Sequence, residues 1–435
     1  MVRYSIKEKF RKLVTSHLDI VMLQCELEPE VCEEDDVDED LQLYGELLAG
    51  LEIYRYLEDR FFLSAGYIST GDCSTLFYQL LELPDTAFLQ KFRVSRPNFD
   101  ELVSILKTRG GDLYWRRTGN TPARTVEKQV AAALFVLGAP SSFDSHRSAL
   151  GISKGALHAY LWRTILLLCQ LASEYIQWPT EQQRDQWQAY GSSRRLPFKD
   201  CIGFIDGSEI QLRTKPEVPN YQRYFSKKKR YGFNLQAVSS FNKRFIYVNA
   251  QSLASCHDST AYKDSVLYER RQSLFRPGEY LLGDKAYELD PYMITPFKAP
   301  QVRGERERAF NIAHATERVG IEHTFGVLKA RWESLRNLPL RIREEKEEQD
   351  QQRVGQWILA CVVLHNFLHD MNEDDGWLRD TIQGLSTEEG HLERTLPPND
   401  EAEVAALDQG ARRMQAIGRL RRDRIADFIM EHQLD

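Results

Sequence analysis

Four short apolar segments between residues 201 and 282 constrain the fold of this chain most strongly. Each is bounded by Gly, Asn or Lys, which is the pattern of buried β-strands. A helical segment separates the third strand from the fourth, and helices follow. This order predicts an α/β fold, a mixed sheet with flanking helices. The predicted strands are Cys201–Ile205, Phe233–Val238, Phe245–Val248 and Tyr280–Leu282, and the predicted helices are Asp258–Leu274 and most of Arg306–Asp370.

The chain before this sheet is predicted to be all-α. Apolar residues recur there at helix spacing, as in Phe99, Leu102, Val103 and Leu106. Residues 145–161 predict a short helix, a turn at Gly151 and a second helix capped by Ser153. In a DNA-binding helix-turn-helix, His158 and Arg163 of the second helix would face a major groove. Any helical hairpin with a tight turn gives a similar pattern, so both interpretations stay open.

Charge is distributed unevenly along the 435 residues. Residues 26–40 hold ten of the 64 acids and no base, so the remainder carries 54 acids against 57 bases. The acidic run predicts a solvated arm, and the near-neutral remainder permits nucleic-acid binding without requiring it. Residues 411–430 form a basic amphipathic segment that favours a packed surface helix over a DNA or partner contact. We divide the chain into a tail (1–60), a helical domain (85–195), an α/β domain (196–370) and a linker with a basic helix (371–435).

Composition excludes several classes of protein. The seven cysteines are scattered and form no CxxC pair, which argues against a disulfide framework and a zinc finger. The longest apolar segment, Leu161–Ala172, is shorter than a membrane span and contains Arg163. The first residues lack the pattern of a secretory signal, so we expect a cytoplasmic or nuclear protein without membrane association.

Two predicted strands lead directly into a carboxylate. Asp206 follows CIGFI, and Asp284 follows YLLG, so both acids are expected at one edge of the sheet. A third acid, Glu322, lies in a helix between Arg318 and Lys329, two cations suited to phosphate oxygens. The apolar stripe of this helix consists of Ile321, Phe325, Leu328 and Trp332.

Carboxylates that converge without an Arg or Lys between them repel one another, and a hard divalent cation relieves that repulsion. Two Mg²⁺ ions about 4 Å apart would activate water or a DNA 3′-hydroxyl for phosphodiester displacement. Taken singly, each acid has another interpretation: Asp206 or Asp284 as a loop cap, and Glu322 as a surface acid. The prediction of a metal site rests on the ordered set of three.

Seven segments in order resemble those of PIF/Harbinger transposases and their domesticated nuclease relatives. The resemblance covers about residues 90–370 and is strongest in 201–370. The segments are FIDGSEI (204–210), YFSKKKRYGFNLQAVSSFNKRFIYVNA (224–250), CHDST (256–260), YLLGDKAY (280–287), ITPFK (294–298), RVGIEHTFGVLKARWESLR (318–336) and ILACVVLHNFL (358–368).

This resemblance implies a ribonuclease H-like fold and cut-and-paste DNA transposition, with Asp206, Asp284 and Glu322 as the triad that binds Mg²⁺ or Mn²⁺. It also implies that the basic stretch Lys227, Lys228, Lys229 and Arg230 lies near DNA. A separate Myb-like DNA-binding protein is an expected partner, and nuclear location is expected. We expect a homodimer or larger assembly, because transposition joins two DNA ends.

The roles of several polar residues are left open by the sequence. The string before His257 and Asp258 is Ala-Ser-Cys, where the family usually has Gly and a small residue. This pair predicts either a helix cap with a packed histidine or support for the metal ligands. His365 and Asn366 are expected to hold helices together in the core, and His323 faces either DNA or solvent.

Three functions follow from these patterns. The first is an active DDE nuclease or transposase. The second is a domesticated, non-cutting DNA-binding or chromatin adaptor, against which the three retained acids argue. The third, an unrelated metal-dependent phosphoesterase, would need a cluster richer in histidine.

Overall fold

The computed structural model describes residues 74–115, 125–379, 381–383 and 409–432. All of these lie within one compact unit, Cys73–Asp435. The predicted N-terminal tail with its acidic run lies outside the described residues. Of the predicted C-terminal linker, residues 384–408 also lie outside them.

Eight helices precede the first strand of the described chain. Four of them begin after a hydroxyl-bearing residue that caps the helix: Thr125, Ser142, Ser153 and Thr180. Each side chain accepts a hydrogen bond from a backbone N–H of the first turn, which has no acceptor within the helix itself. The helices are α1 (Ser74–Leu81), α2 (Asp85–Phe92), α3 (Arg96–Trp115), α4 (Val126–Leu137), α5 (Phe143–Leu150), α6 (Lys154–Gln170), α7 (Ala172–Tyr175) and α8 (Glu181–Ser193).

The five-stranded sheet confirms the predicted ribonuclease H-like fold. Its order is β3-β2-β1-β4-β5; β2 runs antiparallel to both of its neighbours, β1 and β3, while β4 and β5 run parallel to β1. Parallel neighbours need a crossover, and the segment between β3 and β4 supplies it. The strands are β1 (Cys201–Gln211), β2 (Gly232–Ser239), β3 (Phe245–Leu253), β4 (Tyr280–Leu282) and β5 (Met293–Ile294).

Three details of the α/β region differ from the sequence prediction. Strand β1 does not end before Asp206 but continues through it to Gln211, because residues 204–211 pair with β2. The single helix predicted over 258–274 is three short helices, since Ser265 caps a new helix after the first has ended. Strand β5 has only two residues, too few for an alternating pattern. The later helices are α9 (Asp258–Lys263), α10 (Val266–Glu269), α11 (Arg271–Leu274), α12 (Glu305–Arg331), α13 (Glu347–Asp370) and α14 (Gln409–His432).

The two faces of the sheet bury different clusters, because successive side chains of a strand point to opposite sides. Phe204 and Leu282 pack in the larger cluster, which also contains Ile321 of α12 and Leu364 of α13. Ile205 and Leu281 pack in a smaller cluster on the other face with Tyr262 and Tyr287. Helices therefore cover both faces, and a side chain on β1 reaches either α12 or α9 according to its position.

The helical region packs directly on the sheet region through α13. Trp162 of α6 lies edge-on to Trp357 of α13, with 6.2 Å between ring centroids. The Cys169 thiol donates to the Gln356 carbonyl at 3.3 Å. One hydrophobic cluster extends through both regions, so the predicted boundary near residue 195 is not a gap in the packing.

Residues 145–161, predicted to be a short helix, a turn and a second helix, lie within α5, the turn at Gly151 and α6. Gly151 ends α5 in the left-handed conformation (φ 60°), and the Ser153 hydroxyl accepts from Ala156 N at 3.2 Å at the start of α6. Leu157, Leu161 and Ile165 of α6 are fully buried, and α6 packs between α4 and α13. The second helix is therefore at the centre of the helical region, and its exposed residues are Lys154, Gly155, His158, Leu166 and Gln170.

Helix α14 confirms the packed-helix interpretation of the basic segment. Arg306 of α12 pairs with Asp427 at 2.6 Å and with Asp423 at 3.5 Å. Arg422 is buried and donates to the Pro296 carbonyl at 3.3 Å. Among the helices that the structure describes, none is long and apolar enough to cross a membrane.

Asn366 joins α13 to the sheet. Its Oδ1 accepts from Phe245 N at 3.0 Å, and its Nδ2 donates to the carbonyls of Phe245 (2.7 Å) and Tyr175 (2.8 Å). We expect Asn366→Leu to lower the free energy of unfolding by about 3 kcal/mol, because it leaves buried backbone groups without partners. Urea unfolding followed by circular dichroism measures this.

The matched control is Gln352→Leu, an exposed site on the same helix. Its expected effect is within about 0.5 kcal/mol. Equal effects of the two substitutions would contradict a bridging role for Asn366.

Candidate active site

Asp206 lies on β1, and Asp284 follows the end of its parallel neighbour β4. Phe204 pairs with Leu282, and each acid follows two residues later on its own segment. Alternation along β1 directs Asp206 to the face of Phe204, which α12 covers. The β1–β4 register therefore places these two acids near each other on the sheet, as the sequence predicts.

Arg318 of α12 forms an ion pair with Asp206. Its Nη2 donates to Asp206 Oδ2 at 2.8 Å, and the Gly207 N–H donates to Oδ1 at 2.8 Å. The Arg318 side chain is 11% exposed. The expectation that no base lies between the acids is therefore wrong: α12 crosses β1 and carries a guanidinium to the carboxylate.

Asp258 lies beside Asp206 on the other side of β1. A Cβ on Gly207 would come within 2.2 Å of Asp258 Oδ1, so only glycine leaves room for this carboxylate. Asn234 Nδ2 donates to the same oxygen at 2.6 Å, and Gln236 Nε2 donates to the Asp258 carbonyl at 2.9 Å. Two amides of β2 thus fix Asp258, the first residue of α9, next to the predicted acids.

The proximity of the three aspartates helps to raise the pKa values of Asp206 and Asp258. Burial raises the pKa of Asp206 to about 7; Arg318 opposes this, while Asp284 and Asp258 add to it. Burial also raises the pKa of Asp258, against the Asn234 hydrogen bond, and Asp284 raises it further. The fold therefore holds three coupled carboxylates whose shared negative charge Arg318 only partly offsets.

Glu322 lies on α12 one turn after Arg318 and is exposed. It is thus on the helix that covers Asp206, not on the far side of the fold. Lys329 is only 6% exposed, so it does not lie on a surface that DNA can contact in this conformation. His323 is half-buried, and burial lowers its pKa.

Divalent cations match this site in the chemistry of its donors, not in an arrangement of three ligands. In the described ranges, no three His, Cys, Asp or Glu side chains are arranged closely enough to hold a metal ion together. The donors that converge are nevertheless all carboxylates, the ligands that Mg²⁺ and Mn²⁺ prefer. Burial and the neighbouring carboxylates raise the pKa of Asp206 and of Asp258, and the donor set suits such ions chemically.

The predicted basic stretch forms a hairpin tip beside Asp258. Ser226 N donates to the Arg230 carbonyl at 2.8 Å, and the Ser226 hydroxyl donates to Glu209 Oε1 at 2.9 Å, which ties the tip to β1. Lys227 Nζ lies 3.1 Å from His257 Nδ1, next to Asp258. The exposed cations are Lys227, Lys229 and Arg230, and Lys228 is half-buried.

His158 and Arg163 lie apart from this hairpin in the helical region. Arg163 Nη1 donates to Gln129 Oε1 at 3.0 Å, while His158 is exposed in the open first turns of α6. Burial of its ring atoms and the nearby Arg353 lower the pKa of His158. A DNA contact by these two residues stays a prediction.

Sequence reasoning left Asp258 with two roles, a helix cap or support for the metal ligands. The structure shows its carboxylate bonded to Asn234 and coupled to Asp206 and Asp284. The sequence contained a signal for the placement of Asp258, namely the amides Asn234 and Gln236 at alternate positions of β2. Buried amides on one face of a strand need polar partners.

The chain is similar in sequence to several known proteins. Residues 205–366 match the family described as DDE superfamily endonuclease. The chain is 24% identical to "Protein ALP1-like" of Arabidopsis thaliana over 339 residues, 74% of this chain and 80% of the relative. It is 25% identical to "Putative nuclease HARBI1" of Homo sapiens over 366 residues, 80% of this chain and 96% of the relative. No solved structure matches the chain significantly.

The raised pKa of Asp206 predicts a pH-dependent stability. Folding raises it from 3.8 to about 7, so protonation of Asp206 contributes stability that is present below pH 3.8 and lost as the pH rises through 7. Between pH 5 and 8, in EDTA, we expect the wild type to lose about 1–2 kcal/mol more than Asp206→Asn. Urea midpoints measure the difference.

The exposed Asp264 supplies the control for this measurement. Asp264→Asn should follow the wild-type pH profile. If Asp206→Asn follows it too, the carboxyl is already ionised at pH 5 and the coupling described above is absent.

Proposed function

Residues 205–366 of this chain belong to the DDE superfamily endonuclease family, and from that membership we propose that the protein is a metal-dependent DNA endonuclease. The observation that supports this most is the coupled set of Asp206, Asp258 and Asp284, brought together by the β1–β4 register and α9. Buried carboxylates that lie close together and have shifted pKa values are typical of active sites. The proposal includes the finer activity that the sequence resemblance implies, cleavage and joining at transposon ends.

Asp206, Asp284 and Glu322 are the residues that would hold the two Mg²⁺ or Mn²⁺ ions, with Asp258 beside them. Such ions supply a polarised attacking oxygen and neutralise the leaving oxygen of the phosphodiester. Asp206 contributes from a rigid strand, and Asp284 from just beyond the end of the neighbouring strand. Glu322 contributes from α12, one turn from the residue that already contacts Asp206.

Arg318 has two roles in this proposal. In the structure it donates to Asp206 Oδ2 and lowers the proton affinity of that carboxyl, which keeps more of it ionised for cation binding. Its guanidinium lies at the place where the scissile phosphate would approach Asp206. A planar guanidinium donates to two phosphate oxygens at once, so it would orient the phosphate.

The basic hairpin tip is the proposed DNA contact nearest to the acids. Lys227, Lys229 and Arg230 are exposed there, and Lys227 approaches His257, the neighbour of Asp258. Cations at this place would bind backbone phosphates on one side of the scissile bond. DNA is thus the proposed substrate, with a Myb-like protein and a second copy of this chain as the further expected partners in the nucleus.

Purified protein with Mg²⁺ or Mn²⁺ is expected to nick supercoiled plasmid DNA. Asp206→Asn and Asp284→Asn should each slow nicking by more than about 10³-fold, because each removes several kcal/mol of transition-state stabilisation. Agarose gels measure the rate, and circular dichroism verifies folding. Asp264→Asn should cut at the wild-type rate.

Glu322→Gln is the sharper test of the third acid. It keeps the size and polarity of the side chain and removes its charge. Loss of nicking comparable to that of Asp206→Asn is expected; an unaffected rate would assign the third carboxylate to Asp258 instead. A wild-type protein that binds DNA but never nicks it would favour the non-cutting adaptor.

We expect Lys229→Ala combined with Arg230→Ala to weaken DNA binding and reduce the salt slope of the association constant by about 2, one for each lost phosphate contact. Fluorescence anisotropy of a labelled duplex at several salt concentrations measures both. The matched control is Lys91→Ala with Lys107→Ala, two exposed lysines of the helical region. An equal loss in both double variants would indicate a general charge effect, not a contact at the hairpin.

A further inference from the structure

Tyr287 is fully buried three residues after Asp284, on the face of the sheet that α9 covers. Its ring lies edge-on to Tyr262 of α9, with 6.0 Å between ring centroids. A Cβ on Gly283 would come within 2.9 Å of Tyr287 Cδ2, so the ring packs directly on the backbone that leads from β4 to Asp284. The ring is thus held between the segment of Asp284 and the helix that begins at Asp258.

The turn from Asp284 to Tyr287 orients the Asp284 carboxylate. Asp284 lies beyond the last residue of β4, so the strand alone does not fix this side chain. Ala286 N donates to Asp284 Oδ1 at 2.9 Å, and Tyr287 N donates to the Asp284 carbonyl at 3.3 Å. The residue that closes the turn is therefore the one whose ring is buried, and a movement of Tyr287 would move Asp284 with it.

The Tyr287 hydroxyl connects this turn to Asp258. It accepts a hydrogen bond from Gln236 Nε2 at 3.2 Å, and the same Nε2 donates to the Asp258 carbonyl at 2.9 Å. Gln236 is itself fully buried, and its pairing with Gly207 of β1 fixes its backbone on β2. One amide nitrogen thus joins the segment of Asp284 to the first residue of α9.

The Tyr287 hydroxyl carries no charge in this arrangement. Burial raises the pKa of Tyr287 well above its usual value, and the charges of the three aspartates add to that rise. The hydroxyl therefore stays protonated near neutral pH, which excludes a role as a general base. Because Tyr287 is fully buried, it also makes no contact with DNA. Its contribution to the site is the link that it forms between the acids.

We propose that Tyr287 is a positioning residue of the endonuclease site, which sets the separation of Asp284 from Asp258 and Asp206. The inference rests on the proposed function, because it takes these acids as the site that binds divalent cations. Removal of a group that orients metal ligands from behind weakens metal binding by about 10–100-fold. Loss of the Tyr287 hydroxyl should therefore weaken cation binding while the fold is retained.

Tyr287→Phe keeps the buried ring and removes the hydroxyl. We expect the dissociation constant for Mn²⁺ to rise about tenfold, because the acids are no longer held at one separation. Electron paramagnetic resonance of the free ion measures this constant with the full-length protein and without DNA. In plasmid nicking, the Mg²⁺ concentration for half-maximal rate should rise by a similar factor, and the rate at saturating Mg²⁺ should fall less than about threefold.

Tyr262→Phe is the matched control. Tyr262 is buried in the same cluster, and its hydroxyl has no hydrogen-bond partner within the part of the chain that the structure describes. Its loss should leave the Mn²⁺ constant and the Mg²⁺ dependence of nicking unchanged. Urea midpoints followed by circular dichroism verify that both variants are folded. A purely structural role of Tyr287 would lower its urea midpoint and leave the Mn²⁺ constant at the wild-type value.

Gln236→Met tests the link from its other end. It keeps the length of the side chain and removes the amide that joins Tyr287 to Asp258. The double variant Gln236→Met with Tyr287→Phe should bind Mn²⁺ no more weakly than Gln236→Met alone, because both substitutions break one link. Losses that multiply in the double variant would show two separate effects and contradict the link.

An unchanged Mn²⁺ constant in Tyr287→Phe, or an equal rise in Tyr262→Phe, would overturn the positioning role, while nicking by the wild type would still support the endonuclease. A wild type that binds Mn²⁺ with the expected effect of Tyr287→Phe but never nicks DNA keeps the positioning role and loses the endonuclease function. A wild type that binds no Mn²⁺ loses both.

Discussion

The parallel pairing of β1 with β4 is the contact on which the rest of this site depends. It brings together two aspartates that are far apart in the chain, one on β1 and one just beyond the end of β4. The pairing is possible only because α9, α10 and α11 carry the chain across the sheet between β3 and β4. The same crossover delivers Asp258 to the opposite side of β1, where Gly207 leaves space for it.

Bringing several carboxylates together costs free energy, and contacts with neighbouring residues offset part of that cost. Arg318 offsets part of the charge on Asp206, and Asn234 and Gln236 hold Asp258. Helix α13 anchors the sheet from the side of β3 through Asn366. In the proposed endonuclease, a divalent cation would take over the part of the charge that these contacts leave.

The regions outside the sheet also bear on the site. The helical region shares one hydrophobic core with it, and α14 is tied to α12 through Arg306. Since α12 carries Arg318 and Glu322, α14 stabilises the helix that faces the acids. A segment that the sequence shows only as basic and amphipathic thus supports the candidate active site.

The sequence by itself determined the order of the strands and predicted that Asp206 and Asp284 lie near each other, because apolar segments followed by a carboxylate are local patterns. The resemblance of seven segments identified the family. Tertiary structure alone decided that Arg318 pairs with Asp206, that Lys329 is buried and that Asp258 joins the acids. These contacts depend on how α12 and α9 cross the sheet. The spacing of apolar residues along the chain does not specify how a helix crosses a sheet. The hydrogen bonds that join Tyr287 through Gln236 to Asp258 likewise exist only where the segment after β4, β2 and α9 meet.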